Sequence, residues 1–471
     1  MATAGCVYYN GMYNARHFAG QAERSEHLGR TSEAADRWRI AEIHAESVVT
    51  RHPRSKWVGE AQLVRARALV HLESWTMAAI AAEQARRVVH SEEERREAWL
   101  YLGLADVGMH QTEPAVNALD SAALTKDPKR RSEAYLARGR VLLAAGRPSD
   151  ALVDLRQSRA VDAIFERARA ALAEGDVDLA GSTADTVAQR VEYQEQRWLP
   201  FLDSLANHDS AAARRLTDVI VARADVRSGP KARLLLADGD RRLAAGQDSA
   251  AAARFAQIRA LVPDSVESRI ADLRQVRLDL RVAPTPADLA PLRRRLVIIA
   301  LAGGSPTAEA TDLVRLVDYS DSLAGLPGPA DAWWFLRGEL LRDSIGARQA
   351  AANVFGLMPA QFPDSPWTPK GILAAIALGH PAADSLRALL DARYASSPYT
   401  VAAAGGLEGA DRFTVLEDSL RTTLDLLRPA AAQPGNVAGP QDDVPTRGRN
   451  PAIQRPRPQP GRPAPRPTLD P

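Results

Sequence analysis

The residues with chemical potential are few and far apart. His44-Ala45-Glu46 has the His-x-Glu spacing of a zinc deaminase, in which the imidazole binds metal and the carboxylate moves protons. That site needs a pair of cysteines, and Cys6 is the single cysteine of the chain. The same count excludes an internal disulfide. There is no Gly-Lys dipeptide and so no phosphate-cradling loop with its lysine. Neither Gly-x-Ser-x-Gly nor His-Glu-x-x-His occurs, and the nine histidines are scattered. Glu92-Glu93-Glu94 stands where a helix begins, and its charge favours the helix dipole there. The sequence therefore predicts no catalytic, cofactor-binding or metal-binding residue and no enzyme.

Two other groups invite a binding role. Trp333-Trp334 are consecutive, so on a helix they point about 100° apart. Trp334 falls on the packing side, so of the two only Trp333 could face a groove, and packing is the expected role of both. Arg293-Arg294-Arg295 and Lys129-Arg130-Arg131 read as solvated helix faces. With 471 residues and a net charge of +2, the chain has no global field for nucleic acid. Its basic charge is almost all arginine: Lys56, Lys126, Lys129, Lys231 and Lys370 are the only lysines. No apolar run approaches the roughly 18 residues of a membrane helix; Leu296–Ala302 is short and follows three arginines.

What would position a binding surface is a recurring set of small residues. Gly103, Gly139, Gly239 and Gly338 are each followed twelve residues later by an alanine: Ala115, Ala151, Ala251 and Ala350. Ala66 and Ala78 repeat the pair, as do Ala168 and Ala180. Small residues belong where two helices of a pair cross closely. Around the first of these crossings, Trp99, Leu102 and Leu119 fill the space and Ala122 faces the next pair.

Helix pairs follow from this pattern: 10–28 with Thr31–Arg51, Trp57–Leu72 with Thr76–Val89, Glu92–Val107 with Glu113–Thr125, and Arg131–Ala145 with Ser149–Arg159. Pro53, which lacks an amide to continue a helix, closes the first pair. The signature weakens over 161–228 and returns at Lys231–Ala245 with Asp248–Leu261. Residues 266–330 read as helical but atypical, broken by Pro284, Pro286, Gly303-Gly304 and Pro306. A late pair spans Asp331–Asp343 and Ala347–Gln361. The small residue of the first helix recurs at 66, 103 and 139, an interval that fits helical repeats of about 34 to 47 residues.

The stretch Trp99-x2-Leu102-Gly103, Ala115, Leu119, Ala122, Asp127-Pro128 resembles a tetratricopeptide repeat nearly throughout. Tyr135-x2-Arg138-Gly139…Ala151…Leu155, Gly239…Ala251…Phe255…Pro263 and Trp334-x2-Arg337-Gly338…Ala350 are partial matches. The resemblance covers roughly 57–160, 230–265 and 331–365. It implies an all-α solenoid of antiparallel helix pairs whose concave groove binds protein or peptide segments.

A narrower resemblance concerns the junctions. Arg51-His52-Pro53-Arg54-Ser55-Lys56-Trp57 and Gln361-Phe362-Pro363-Asp364-Ser365-Pro366-Trp367 share Pro-x-Ser-x-Trp, and Ser397-Pro398-Tyr399 echoes it. Such junctions look like those of the tetratricopeptide lipoproteins related to the BamD component of the outer-membrane β-barrel assembly machinery. This chain is longer than the usual five-repeat body of that family. Thr3-Ala4-Gly5-Cys6 resembles the end of a bacterial lipobox, although such motifs favour leucine where Thr3 stands and no basic or apolar leader precedes it. On this reading Cys6 is lipidated; otherwise it is an ordinary thiol on a cytosolic terminus.

The expected organisation is a lipobox-like segment 1–9, a first array 10–265, an atypical segment 266–330, further repeat-like helices 331–428 and a tail 429–471. The tail holds twelve prolines and six arginines with few large apolar residues, a composition that predicts disorder and local extension. Function is expected to be a non-catalytic scaffold. The first reading is a lipid-anchored lipoprotein on the periplasmic face of the outer membrane, assisting envelope assembly, with outer-membrane β-barrel proteins as partners and no nucleic acid. The alternative is a cytoplasmic adaptor in regulation or chaperone work.

Overall fold

The computed structural model describes residues 3–190, 192–406 and 410–427, and no strand occurs among the described residues. The tail expected at 429–471 lies outside them. The chain forms two compact units, one comprising Met1–Ser322 and Glu339–Asn353, the other Leu323–Gly338 and Val354–Pro471.

The first unit is a tetratricopeptide-like α-solenoid of antiparallel helix pairs. In chain order these are α1 (Thr3–His27) with α2 (Thr31–Arg51), α3 (Val58–His71) with α4 (Trp75–Val88), α5 (Glu92–Gly108) with α6 (Thr112–Ala123), and α7 (Pro128–Ala144) with α8 (Pro148–Gln157). They continue as α9 (Val161–Glu174) with α10 (Val177–Arg190), α11 (Glu195–His208) with α12 (Ser210–Ala222), α13 (Ser228–Ala244) with α14 (Asp248–Leu261), and α15 (Val266–Val282) with α16 (Leu289–Leu301). Helix α17 (Thr307–Ser322) follows. Residues 266–330 are thus largely ordinary helix. Pro284 and Pro286 stand in the link before α16, and Gly303 and Gly304, both at positive φ, end it.

Helices α7 and α8 start at proline, earlier than the pattern placed them. Proline is well suited to the first helical position, where its missing amide would have had no partner. Asp127 completes the start of α7 by accepting hydrogen bonds from the amides of Lys129 and Arg130 at 2.8 and 3.3 Å.

Six of the eight turns inside the pairs share one device. The first helix ends in a left-handed residue: Gly29, Glu73, His110, Gly146, Gly175 and Gly246 have φ between 56 and 92°. The next amide then reaches back to the helix. Ser74 N donates to Leu69 O, Gln111 N to Asp106 O, Arg147 N to Leu142 O and Asp176 N to Ala171 O, each at 2.9 Å. This 6→1 closure satisfies carbonyls that the helix end would leave open.

Seven residues before each of these turns stands a small buried or closely packed residue: Ala22, Ala66, Gly103, Gly139, Ala168 and Gly239. A Cβ built on Gly103 would lie 2.6 Å from Leu119 Cγ, and one on Gly139 2.6 Å from Leu155 Cγ. On Gly239 it would meet Phe255 Cε1 at 2.6 Å. The close approach is therefore to the residue sixteen positions on, while Ala115, Ala151 and Ala251, twelve positions on, are fully buried. Leu119 is fully buried and clusters with Ala122 and with Ala134 and Ala137 of α7, which couples one pair to the next.

In the second unit are most of α18 (Ala330–Glu339), the end of α19 (Arg348–Gln361), α20 (Thr368–Ala377), α21 (Ala383–Arg393), α22 (Pro398–Ala403) and α23 (Ala410–Leu427). There Gly338 lies against the ring of Phe355, seventeen positions on. The extra residue falls in a stretch of chain that includes the π-helical turn Leu340–Ile345, whose wider coil takes up an additional residue. Counting back four from the bulky residue, the counterpart of Ala115 in this pair is Ala351; Ala350 and Ala351 are both fully buried. Phe335 packs on Phe355 and Trp367 with ring centres 5.3 and 5.1 Å apart.

Candidate functional site

In the first unit the first helices of successive pairs touch one another: α1 with α3, α3 with α5, α5 with α7, α7 with α9, and onward through α15. They form one continuous face, and charged side chains cross it from pair to pair. Arg16 and Arg67 bind Glu60 and Glu23 across α1 and α3. Arg130 of α7 holds Glu97 of α5 at 2.7 Å. Arg140 and Arg197, from α7 and α11, converge on Glu166 of α9 at 3.2 and 3.1 Å. Arg233 of α13 joins Glu195 of α11 at 2.6 Å and Glu267 of α15 at 3.0 Å. Arg274 of α15 reaches Asp240 of α13 at 3.0 Å, and Arg277 binds Glu309 of α17.

Cavities open on the same face. The largest, about 960 Å³, crosses α1, α3, α5 and α7 and ends at the start of α9. Its apolar lining is Val70, Leu104, Leu136, Ala160 and Val161; its polar lining includes Glu23, Glu26, Arg67, His71, Tyr101, Lys129, Glu133 and Arg159. A neighbouring recess of about 410 Å³ shares Glu23 and Arg67 with it. Further along, Phe165, Arg169, Arg197, Pro200 and Phe201 line one of about 480 Å³, and Asp240, Arg274, Arg277 and Glu309 line one of about 380 Å³. A cavity of about 350 Å³ lies elsewhere, among α8, α9 and α10.

The large groove holds an ordered polar wall. Glu26 accepts the indole N–H of buried Trp38 at 2.7 Å, and His71 Nδ1 lies 2.8 Å from the same oxygen. The His71 ring stacks on Trp38 at 4.3 Å, and the Arg67 guanidinium lies 5.5 Å from the Trp38 ring centre. Burial lowers the His71 pKa, and Arg67 adds to this against the opposing charge of Glu26. The ring is thus neutral at neutral pH and donates to Glu26. Across the groove, Tyr101 donates to Glu97 at 3.1 Å, and burial raises both groups. Glu133, on the exposed rim of the groove, has its carboxyl raised by local desolvation, with Glu97 adding to the effect and Arg67, Lys129 and Arg130 opposing it. Glu133 makes no hydrogen bond or ion pair with any described residue.

The residues singled out in the sequence are mostly engaged in packing and pairing within the fold. Trp99 and Leu102 are half-buried, and Trp99 packs beneath Arg86 at 4.6 Å. Trp333 and Trp334 are both half-buried, and each donates its indole N–H to a carbonyl, of Pro327 at 3.3 Å and of Val354 at 2.7 Å. The buried aromatic there is Phe335. The basic clusters expected to be solvated have protein partners: Arg293 binds Asp318, Arg295 binds Asp279 at 2.5 Å, and Arg131 donates to Thr125 O at 2.9 and 2.6 Å. His44 stacks on Phe18 and Glu46 pairs with Arg65 at 2.7 Å. Among the described residues no group of three or more His, Cys, Asp or Glu is placed to hold a metal ion. None of the described helices is long and apolar enough to cross a membrane. Cys6 lies in the helical backbone of α1.

The two Pro-x-Ser-x-Trp junctions share one local geometry. Ser55 Oγ accepts from Trp57 N at 3.2 Å, and Ser365 Oγ from Trp367 N at 3.1 Å. Thr125 does the same for Asp127 N at 3.2 Å. The serine in each motif therefore shapes the entry to the next helix.

No family model and no curated protein matches the chain. Among solved structures it is similar to a tetratricopeptide repeat protein from Parabacteroides merdae ATCC 43184, at 13% identity and a TM-score of 0.35, over 56% of this chain and 99% of that one.

Proposed function

We propose that the chain is a non-catalytic scaffold and that the first-helix face of its first unit holds segments of partner proteins. The observation that carries this is the groove of about 960 Å³ crossing four first helices, with aliphatic side chains between fixed polar groups. Stacked helix pairs present such a surface without rearrangement, because each pair is held by its own crossing and by its neighbours. A photo-crosslinking amino acid at Leu136, inside the groove, is expected to capture a partner. The same residue at Ile43, exposed on α2, is expected not to. Equal capture at both positions overturns the reading.

The narrower proposal is a lipid-anchored protein on the periplasmic face of the outer membrane that assists envelope assembly, with β-barrel proteins among its partners. It rests on Thr3-Ala4-Gly5-Cys6 and the serine–tryptophan junctions. Mass spectrometry of the native protein is expected to find a lipid on Cys6, and fractionation to place the chain with the outer membrane. An unmodified Cys6 in a cytosolic protein favours the adaptor instead.

A further inference from the structure

One cavity is lined by cations and hydroxyls with no carboxylate among them. It holds about 350 Å³ between α8, α9 and α10. Helical spacing assembles it. Arg156 of α8 and Arg167 of α9 line it together with Ser182, Thr183 and Thr186, which follow one face of α10. Its apolar part comes from the same helix faces: Leu152 is four residues before Arg156, Ile164 three before Arg167, and Leu179 three before Ser182.

The arginines of the other recesses are largely answered: Arg67, Arg130, Arg197 and Arg277 each hold a carboxylate. Arg156 and Arg167 make no hydrogen bond or ion pair with any described residue. Arg167 is half-buried, and its Nε is covered by protein with no acceptor in reach. A guanidinium that has given up water at one nitrogen without a bond in return gains from an incoming anion. Arg156 is exposed and adds charge on the solvent side. Thr183, half-buried, has no hydrogen-bond partner among the described residues either. Ser182 and Thr186 donate to Leu179 O and Ser182 O at 3.2 and 3.3 Å. These are long bonds for a hydroxyl, and both protons can turn toward a stronger acceptor.

We propose that this cavity binds a phosphate monoester. Arg167 is its principal cation, Arg156 and the α10 hydroxyls close on the remaining oxygens, and Leu152, Ile164 and Leu179 meet the carbon body of the ester. A carboxylate presents two oxygens in one plane and is satisfied by one guanidinium fork. Donors arriving from three helices instead match the three outward oxygens of a phosphoryl group. The cavity exceeds the size of a bare phosphate ion, which leaves room for the ester carbon. The ester is either a free small molecule or a phosphorylated side chain of a partner, since both present the same group. The site shares no lining residue with the recesses of the first-helix face and does not depend on them.

The test is calorimetric titration of the full chain with phenyl phosphate, inorganic phosphate and benzoate, each at the same ionic strength. Phenyl phosphate is expected to bind at one site, at least about fivefold tighter than inorganic phosphate or benzoate. Arg167→Gln should weaken it about tenfold and Arg156→Gln about threefold. Arg39→Gln, at an exposed arginine of α2, should leave it unchanged. Arg167→Lys keeps the charge without the fork and should fall between wild type and Arg167→Gln. Circular dichroism checks each fold. Thr183→Val removes a donor and keeps the shape; it repeats the test should Arg167→Gln not fold, with an expected loss of about threefold. A phosphoserine flanked by alanines in a short peptide that binds more tightly than phenyl phosphate assigns the ester to a partner protein; weaker binding assigns it to a small molecule. No saturable binding of phenyl phosphate, equal affinity for inorganic phosphate or benzoate, or binding indifferent to Arg156 and Arg167 overturns the site.

Discussion

Leu155 occupies the space that the missing side chain of Gly139 leaves open: a Cβ there would come within 2.6 Å of Leu155 Cγ and 2.7 Å of Cδ2. The same relationship joins Gly103 to Leu119 and Gly239 to Phe255. Where the first position is alanine, the residue sixteen on is small in two of the three cases. Ala66 stands with Ala82 and Ala168 with Ala184, all four fully buried. Each of these crossings is filled by one large or by two small side chains. Ala22 with Trp38 departs from this rule, and Trp38 stacks instead on His71 of the following pair.

Gly139→Ala should lower stability by about 1 to 3 kcal/mol, the range for overpacking a tight contact. Leu155→Ala should lower it by about 2 to 5 kcal/mol through the cavity it leaves. The double variant should be more stable than the sum of the two losses predicts, since it recreates the Ala–Ala crossing found at Ala66 and Ala82. Urea melts of the four proteins measure that coupling; strict additivity would refute the compensation. Ala115→Leu, at a fully buried site, should also lower the melting temperature.

The turn residues give a prediction of opposite signs. Gly175 has φ 92°, whereas Glu73 and His110 hold φ 56 and 59° with side chains attached. Gly175→Ala should cost about 1 to 2 kcal/mol, the penalty of left-handed backbone with a Cβ. Glu73→Gly and His110→Gly relieve that penalty but loosen the unfolded chain, so each should be neutral or stabilising by up to about 1 kcal/mol. Thermal melts of the three variants check the order.

Asp238 is 1% exposed and lies 2.7 Å from Arg254 Nε and 2.8 Å from Arg242 Nε. Asp238→Asn removes the buried charge shared by Arg254 and Arg242 and should destabilise by about 2 to 3 kcal/mol, because Arg254 then keeps only Asp218, at 2.5 Å, as its counter-ion. Exposed pairs such as Arg39–Asp36 should cost under about 1 kcal/mol when broken, which makes Asp36→Asn the matched control.

His71 should shape the pH dependence of stability. Its folded pKa lies below 6.5, so the unfolded chain takes up a proton that the folded chain resists, and stability is lost as the pH falls through 6.5. His71→Gln should flatten the slope between about pH 7 and 5.5. Parallel slopes for wild type and variant would remove His71 as the cause.

The sequence alone determined the helix pairs, most of their boundaries and the positions of the small crossing residues. Those features are local: periodic apolar residues, a turn glycine seven residues after a small one, and a proline or serine at a helix start act over a few residues and are legible in order. The tertiary structure decided what each small residue meets. A contact sixteen residues away depends on how two helices cross, and at Gly338 it became seventeen in a pair interrupted by a π-turn. It also decided which charges meet. Arg16 and Glu60 are 44 residues apart, Arg197 and Glu166 are 31, and Arg233 and Glu195 are 38, with no common spacing to read. The groove arises only when α1, α3, α5 and α7 lie side by side, because the walls of a cavity are neighbours in space rather than in the chain.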